Sequence, residues 1–356
     1  MTTATAPLIP STTAAAPLAR ADRPQTLWRQ VLRSRRVVIG GGILAAIMFL
    51  CLVTLPWTLA EVAPDGSRVT QKGTGVPFYT LSSEKRVRQE PRFFTRNANG
   101  RITGLQQWWS WFGYDPLGRS ILARSLFGGT ISLSVGLAAA AIAVFLGVAV
   151  GLFAGYRGGW VDSALMRFVD IMYGLPYILL VILFKIAFEP QLVTLFKWLG
   201  FAKAAELANG VVLFSAIGLV SWLTMARVVR GQVLSLRGLP YIEACRALGL
   251  REGRVFLRHI LPNLIGPITV YATLTVPSAI LQESFLSFLG VGIQPPKPTW
   301  GSLASEGLAP ALNTIHSDWW LLLFPCTLLA AVLLCLNFLG DGLRDVFDPR
   351  KETAKI

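Results

Sequence analysis

Few residues in this chain have the types and spacing that covalent chemistry needs. The two histidines, His259 and His316, have no apposed acid–base set. The cysteines, Cys51, Cys245, Cys326 and Cys335, show no paired metal-like spacing. They read as small packing residues rather than a disulfide framework or zinc site, so neither a metal nor a cofactor is expected. No G-x-x-x-x-G-K-[ST] segment occurs, so the chain is assigned no ATP site of its own. Ser221 and Ser284 are lone serines in apolar runs, better read as helix-packing hydroxyls. This leaves little for an intramembrane hydrolase. What remains is electrostatic. Glu283 stands beside Gln282 in an apolar run, and a carboxylate at membrane depth must face protein or water. It is a pathway residue or a hydrogen bond to a neighbouring helix, with the two readings held even. Arg167 and Asp170 have helical spacing for an ion pair, favoured as an interface anchor over a transport role. Gly174 and Pro176 should kink the same helix, and a kink can line a pathway.

A different kind of signal lies in Tyr241–Asn263, Y-I-E-A-C-R-A-L-G-L-R-E-G-R-V-F-L-R-H-I-L-P-N. It reads as two short helices across a glycine. Good helix formers fill Tyr241 to Leu248, and Gly249 sits where a helix C-terminus wants a left-handed residue. Arg251 to Ile260 forms the second helix, with Glu252 in its first turn and Arg258 and His259 in its last. Pro262 should then stop it. Apolar runs flank this polar stretch on both sides, so it should sit in water and offer a surface to another protein.

Glu243-Ala244, then Gly249, then Leu261-Pro262 resembles the EAA loop of binding-protein-dependent ABC importer permeases. In that family the loop is the coupling helix that docks into a cytoplasmic ATPase. Cys245 stands where a second alanine is usual, a small-for-small change. His259 stands where many permeases have isoleucine, but R-H-I-L-P-N resembles the peptide and nickel branch. Three further stretches resemble that branch: D-P-L-G-R-S-I-L-A-R-S-L-F-G-G from Asp115, E-S-F-L-S-F-L-G-V-G-I-Q-P-P-K-P-T-W-G from Glu283, and G-D-G-L-R-D-V-F-D-P-R from Gly340. The resemblance implies an all-α membrane protein of the type I ABC importer permease fold. It also implies a second homologous permease subunit, two cytoplasmic ATPase subunits and an extracytoplasmic substrate-binding protein as partners. The implied cargo is di- or oligopeptides. Nickel chelates, glutathione or another small solute remain alternatives, and a secondary transporter, which should show inverted repeats, is a further one.

Composition sets the elements that must carry these residues. The chain has 356 residues, 53% hydrophobic and 15% charged, outside the range of a typical soluble domain. Its net charge of +14 would suggest nucleic acid on a soluble protein. Here the arginines flank apolar runs, so they set topology and meet anionic membrane lipid, and no nucleic-acid partner is expected. Residues 1–36 form a cytoplasmic tail, disordered and then basic, with no signal-peptide pattern. Residues 37–59 are the first span and 60–129 an extracytoplasmic loop, whose basic character could serve docking of the binding protein. Its aromatic cluster, Gln106 to Phe112, suits the membrane interface or a buried cluster within the loop equally. Residues 130–341 form the permease core of five transmembrane helices, with the coupling loop at 228–262, and 342–356 a cytoplasmic tail. Within the core, spans are expected at Ile131–Ala154, Leu165–Phe188, Val211–Ala226, Leu264–Leu289 and Trp319–Phe338. Small residues in the first of these should let it pack closely in a bundle. Glu189 to Asn209 reads as a surface helix in the outer interface. Pro295, Pro296 and Pro298 should make a stiff, extended outer loop, which also carries His316. Trp319 and Trp320 should anchor the last span at the outer interface. Arginines concentrate in the short inside segments, so six spans with both termini cytoplasmic satisfy the charge asymmetry. The expected location is the inner or plasma membrane of a bacterial or archaeal cell.

Overall fold

The computed structural model describes residues 34–62, 75–96, 102–105 and 107–347. Residues 1–33 of the expected N-terminal tail, 348–356 of the expected C-terminal tail, and 63–74, 97–101 and 106 of the expected loop lie outside the described residues. Among the described residues, six helices are long and apolar enough to cross a membrane. Helix α1 spans Arg35–Val53, followed by a single turn at Leu55–Thr58. Helix α2 is Ile121–Arg157, α3 Gly159–Tyr173, α4 Tyr177–Trp198 and α5 Ala204–Arg237. Helix α6 is Pro240–Ala247, α7 Glu252–Phe288, α8 Trp300–Ala311 and α9 Trp320–Phe347. The membrane-length helices are α1, with its extra turn, α2, α4, α5, α7 and α9.

The centre of the bundle is the α2–α5 pair, and its sequence cause is a stripe of glycines. Gly147, Gly151 and Gly155 recur every fourth residue on one face of α2. A Cβ on Gly151 would lie 2.6 Å from the Ala226 carbonyl oxygen and 2.8 Å from Val229 Cβ. One on Gly155 would lie 2.8 Å from Val233 Cβ. Hydrogen side chains therefore let the two backbones touch, where dispersion contacts hold helices that gain nothing by leaving apolar lipid. A core of Val135, Ala139, Leu213, Ala216 and Ile217 continues the seam, with Val181 of α4 and Ala279 and Leu286 of α7 packed on it.

Between α1 and α2 the chain builds a small irregular cap. Strands β1 (Glu61–Val62) and β2 (Val76–Pro77) pair antiparallel, as do β3 (Phe94–Arg96) and β4 (Ile102–Leu105). The expected aromatic cluster forms inside this cap: Trp57 lies 4.2 Å from Trp108 and 4.7 Å from Phe78 between ring centroids. The rings pack on one another while Trp108 stays 38% exposed, so the contacts fit both readings.

Several element boundaries differ from the sequence reading. Helix α2 begins at Ile121, capped by Ser120, so the expected boundary at 129/130 falls inside it. Its first two turns are buried under α8 and the cap rather than exposed in a loop. The expected span at Leu165–Phe188 is two helices. Gly174 and Pro176 do not kink one helix but separate α3 from α4. Pro176 is the residue before α4, where a proline's missing N–H costs nothing. Helix α4 then runs straight through Glu189 and Pro190 to Trp198, so no separate surface helix covers Glu189–Asn209. Pro262 does not stop the second helix of the polar stretch. A π turn at Phe256–Ile260 carries the chain into Leu261–Phe288, with Pro262 in the first turn of that segment. The π turn absorbs the backbone groups that proline disrupts. The proline-rich loop is a tight turn leading into α8, which the sequence reading missed. Trp320 is no interface anchor: it is 2% exposed and its indole donates to the Tyr114 carbonyl at 3.3 Å. Trp319 does lie open.

Candidate functional site: a rigid elbow on the helix bundle

Helix α6 forms because Pro240 opens it and a run of good formers follows. It ends in a Schellman motif. The Leu250 N–H donates to Cys245 O at 3.2 Å and the Gly249 N–H to Arg246 O at 2.9 Å, with Gly249 at φ +76°. The inward face of the elbow is apolar. Ile242, Val255, Ile260 and Leu264 are fully buried with Met225, Val229 and Val233 of α5, and Cys245 and Leu250 pack at the edge. The outward face carries Glu243, Ala244, Ala247 and Leu248, all exposed. Leu248 is 82% exposed, an uncovered leucine on a polar loop.

Polar ties fix the elbow to the bundle. Tyr156, at the end of α2, donates its hydroxyl to Glu252 Oε2 at 2.5 Å. Arg246 of α6 forms an ion pair with the same carboxylate at 3.1 Å. Arg237, ending α5, donates to the Gly155 and Tyr156 carbonyls at 3.2 and 3.1 Å, a favourable place for a cation at a helix C-terminus. The elbow, α2 and α5 therefore form one block. Of the residues singled out in sequence, Glu243 and Ala244 lie on the open face and Cys245 beneath it. Gly249 makes the turn, and Leu261 and Pro262 lie beyond it at the start of the membrane segment of α7.

The other candidate residues are not part of this elbow. Asp170 does not pair with Arg167. Its carboxylate accepts from Arg227 of α5 at 2.7 Å, while Arg167 lies exposed. A neighbouring pair, Arg230 to Asp162, ties α5 to α3 a turn further on. Spacing along one helix allowed the local pair, but the facing helix offered a better-placed partner. Pro176 is exposed beside the α3–α4 junction.

Glu283 is fully buried. It accepts from Ser287 at 2.7 Å and from Ser284 at 3.4 Å on its own helix, with Ser132 of α2 and Thr299, the cap of α8, also bonding to it. One carboxylate thus joins α2, α7 and the start of α8, the arrangement of a packing residue. Replacing it with alanine would leave buried hydroxyls unpaired, at about 1–3 kcal/mol for each one left unsatisfied. Glu283→Ala should lower the thermal midpoint of the purified protein in detergent by several degrees, and Glu283→Gln should lose much less. A Glu283→Ala protein as stable as wild type would show that the carboxylate does not hold these elements together.

Sequence reasoning passed over two features. Lys185, in the middle of α4, is 9% exposed and its ammonium donates to the carbonyls of Val291 and Gly292 at 2.5 and 3.0 Å. The signal was available, because a lysine within an apolar span needs a partner. Arg124 of α2, 3% exposed, is held by Asp115 at 2.9 Å and by Glu306 of α8 at 2.7 and 2.9 Å. Asp115 and Arg124 are visible in sequence as charges, but Glu306 lies too far along the chain to be linked to them.

A bundle of six spans with a rigid polar elbow is the architecture of a transport component. The chain belongs to the family described as "Binding-protein-dependent transport system inner membrane component", which its residues 147–353 match. It is thus a multi-pass inner-membrane permease subunit of an ABC importer rather than an enzyme, and a binding protein and an ATPase are its implied partners. Among its relatives, the Bacillus subtilis (strain 168) dipeptide transport system permease protein DppC is 42% identical over 240 residues, covering 67% of this chain and 68% of that one. The Haemophilus influenzae oligopeptide transport system permease protein OppC is 44% identical over 239 residues, 67% of this chain and 70% of its own. Its Escherichia coli (strain K12) namesake is 47% identical over 240 residues, 67% and 72% of the two chains.

Proposed function

We infer that this chain is the membrane-spanning half of an ATP-driven importer of di- and oligopeptides. It works beside a second homologous permease subunit, with two cytoplasmic ATPases and an extracytoplasmic binding protein. The observation that carries the coupling is the elbow's open face: Glu243, Ala244, Ala247 and Leu248 exposed on a block otherwise buried and tied down. The peptide cargo is carried over from relatives named as dipeptide and oligopeptide permeases. In this reading residues 241–250 and both termini face the cytoplasm, and residues 60–120 face the binding protein. Closure of the ATPase pair on ATP pulls α6. Because α6 shares a core with α5 and α7 and is latched to α2 through Glu252, the pull moves the spans together rather than bending the loop. Leu179, Leu183 and Ile186, exposed along α4, supply apolar surface for lipid or the second permease subunit.

The test is reconstitution of the whole importer in vesicles with a labelled tripeptide. Uptake should require ATP, the binding protein and this chain together. Uptake without the ATPase would sink the reading, and so would ATP-dependent uptake of a nickel chelate or glutathione with no peptide uptake.

A further inference from the structure

Half-way along the bundle lies a cleft of about 310 Å³ between the α3–α4 junction, α5 and α7. Its polar lining is Tyr173, Tyr177, Ser221, Thr224 and Gln282, and no charged side chain lines it. At 1.5 Å per residue, Ser221 stands roughly 24 Å from the Arg237 end of α5, near that helix's midpoint. The cleft therefore sits at bilayer depth, where polar groups must be satisfied by protein, water or cargo.

The lining is only partly satisfied from within. Ser221 donates to Gln282 Oε1 at 3.1 Å across α5 and α7. Tyr173 and Thr224 share a hydrogen bond at 2.7 Å. The Tyr177 hydroxyl is buried with no hydrogen-bond partner among the described residues, and the Gln282 amide N–H groups are not used in the Ser221 bond. Polar groups thus line the cleft between apolar walls that include Leu223 and Val220, and the ion pair of Arg227 with Asp170 lies at its rim, where Arg227 sits 4.2 Å over the Tyr173 ring. Such an arrangement suits a group that both donates and accepts and carries no charge. A peptide bond is that group.

We propose that Tyr177, Ser221, Thr224 and Gln282 line this chain's half of the translocation pathway and hydrogen-bond the backbone amides of the peptide in transit. The proposal rests on the peptide-importer reading above. The lining carries no charge of its own and the Arg227–Asp170 pair at its rim is mutually neutralised, so one introduced charge should create selection by side-chain charge. In the reconstituted importer, Gln282→Glu should shift the uptake ratio of a lysine-containing to a glutamate-containing tripeptide by roughly tenfold toward lysine, with binding-protein affinities unchanged. Gln282→Lys should shift it the other way. An unchanged ratio in a variant that still takes up peptide overturns the proposal. Should the variants not assemble, the wild-type importer decides it. A benzophenone-bearing tripeptide, photolysed during turnover, should cross-link within 172–177, 220–224 or next to 282, and cross-links confined to other segments overturn it. A wild-type importer that takes up no tripeptide at all refutes the peptide-importer reading instead, and this proposal with it.

Discussion

Replacing Ala244 with aspartate should abolish ATP-driven uptake, by at least roughly a hundredfold, while the chain still inserts and assembles its core. Ala244 is exposed on α6, so nothing within the chain opposes the change. In the proposed complex its small side chain lets α6 sit deep in a groove of the ATPase. An added carboxylate there would be desolvated without a partner, at a cost of about 3–5 kcal/mol when a buried charge is left uncompensated. Gly249 tests the same elbow by a different route. A Cβ at Gly249 meets nothing within 4 Å, so substitution there is not a steric problem. The difficulty is its φ of +76°, which costs an ordinary L-residue roughly 1–2 kcal/mol. Gly249→Val should therefore loosen the turn and uncouple hydrolysis from uptake, while Gly249→Asn, which tolerates the left-handed region, should be close to normal. The measurement is binding-protein-stimulated ATPase alongside peptide uptake in vesicles. Normal values of both in Ala244→Asp would remove the elbow from the mechanism.

The second large effect is expected at Gly151, and it concerns folding. Gly151→Leu places a branched side chain where a Cβ alone would already lie 2.6 Å from the Ala226 carbonyl. The opposing atom belongs to the backbone, so it cannot swing aside as a side chain could. Overpacking typically costs about 1–3 kcal/mol, and a backbone obstacle puts this site at the upper end or beyond. The α2–α5 seam should part, giving chain that reaches the membrane but is cleaved by protease within its helices and fails to purify with its partners. Gly231 of α5 is the control, since a Cβ there meets nothing within 4 Å. Gly231→Ala should be neutral or stabilising by up to about 1 kcal/mol, through helix propensity alone. A Gly151→Leu protein as resistant as wild type would show that α2 and α5 do not pack as closely as the structure has them.

These predictions differ in what made them possible. The elbow was legible from residues 241–250 because its determinants are local: helix formers, a glycine at the C-terminus and charges between two apolar runs. The number of spans was legible for a similar reason, since the bilayer demands long apolar segments. Helix ends were less so. Hydropathy marks only what lies in lipid, whereas α2 starts at Ile121 because its first turns are buried against protein. Helix α8 escaped notice because it is short and its burial comes from Ser284 and Leu321 across the fold. Gly301 and Gly307 allow that approach.

By itself, then, the sequence determined the membrane class, the number of spans and the polar elbow, all governed by the local chemistry of the chain and its solvent. Only the tertiary structure decided which partners the polar groups take. Asp170 went to Arg227 rather than Arg167, Glu283 to the hydroxyls of three helices, and Lys185 to carbonyls 106 and 107 residues away. The reason is physical. Inside a low-dielectric bundle a polar group takes whichever partner the packing brings within hydrogen-bond reach, and that proximity is fixed by how helices distant in sequence fit together.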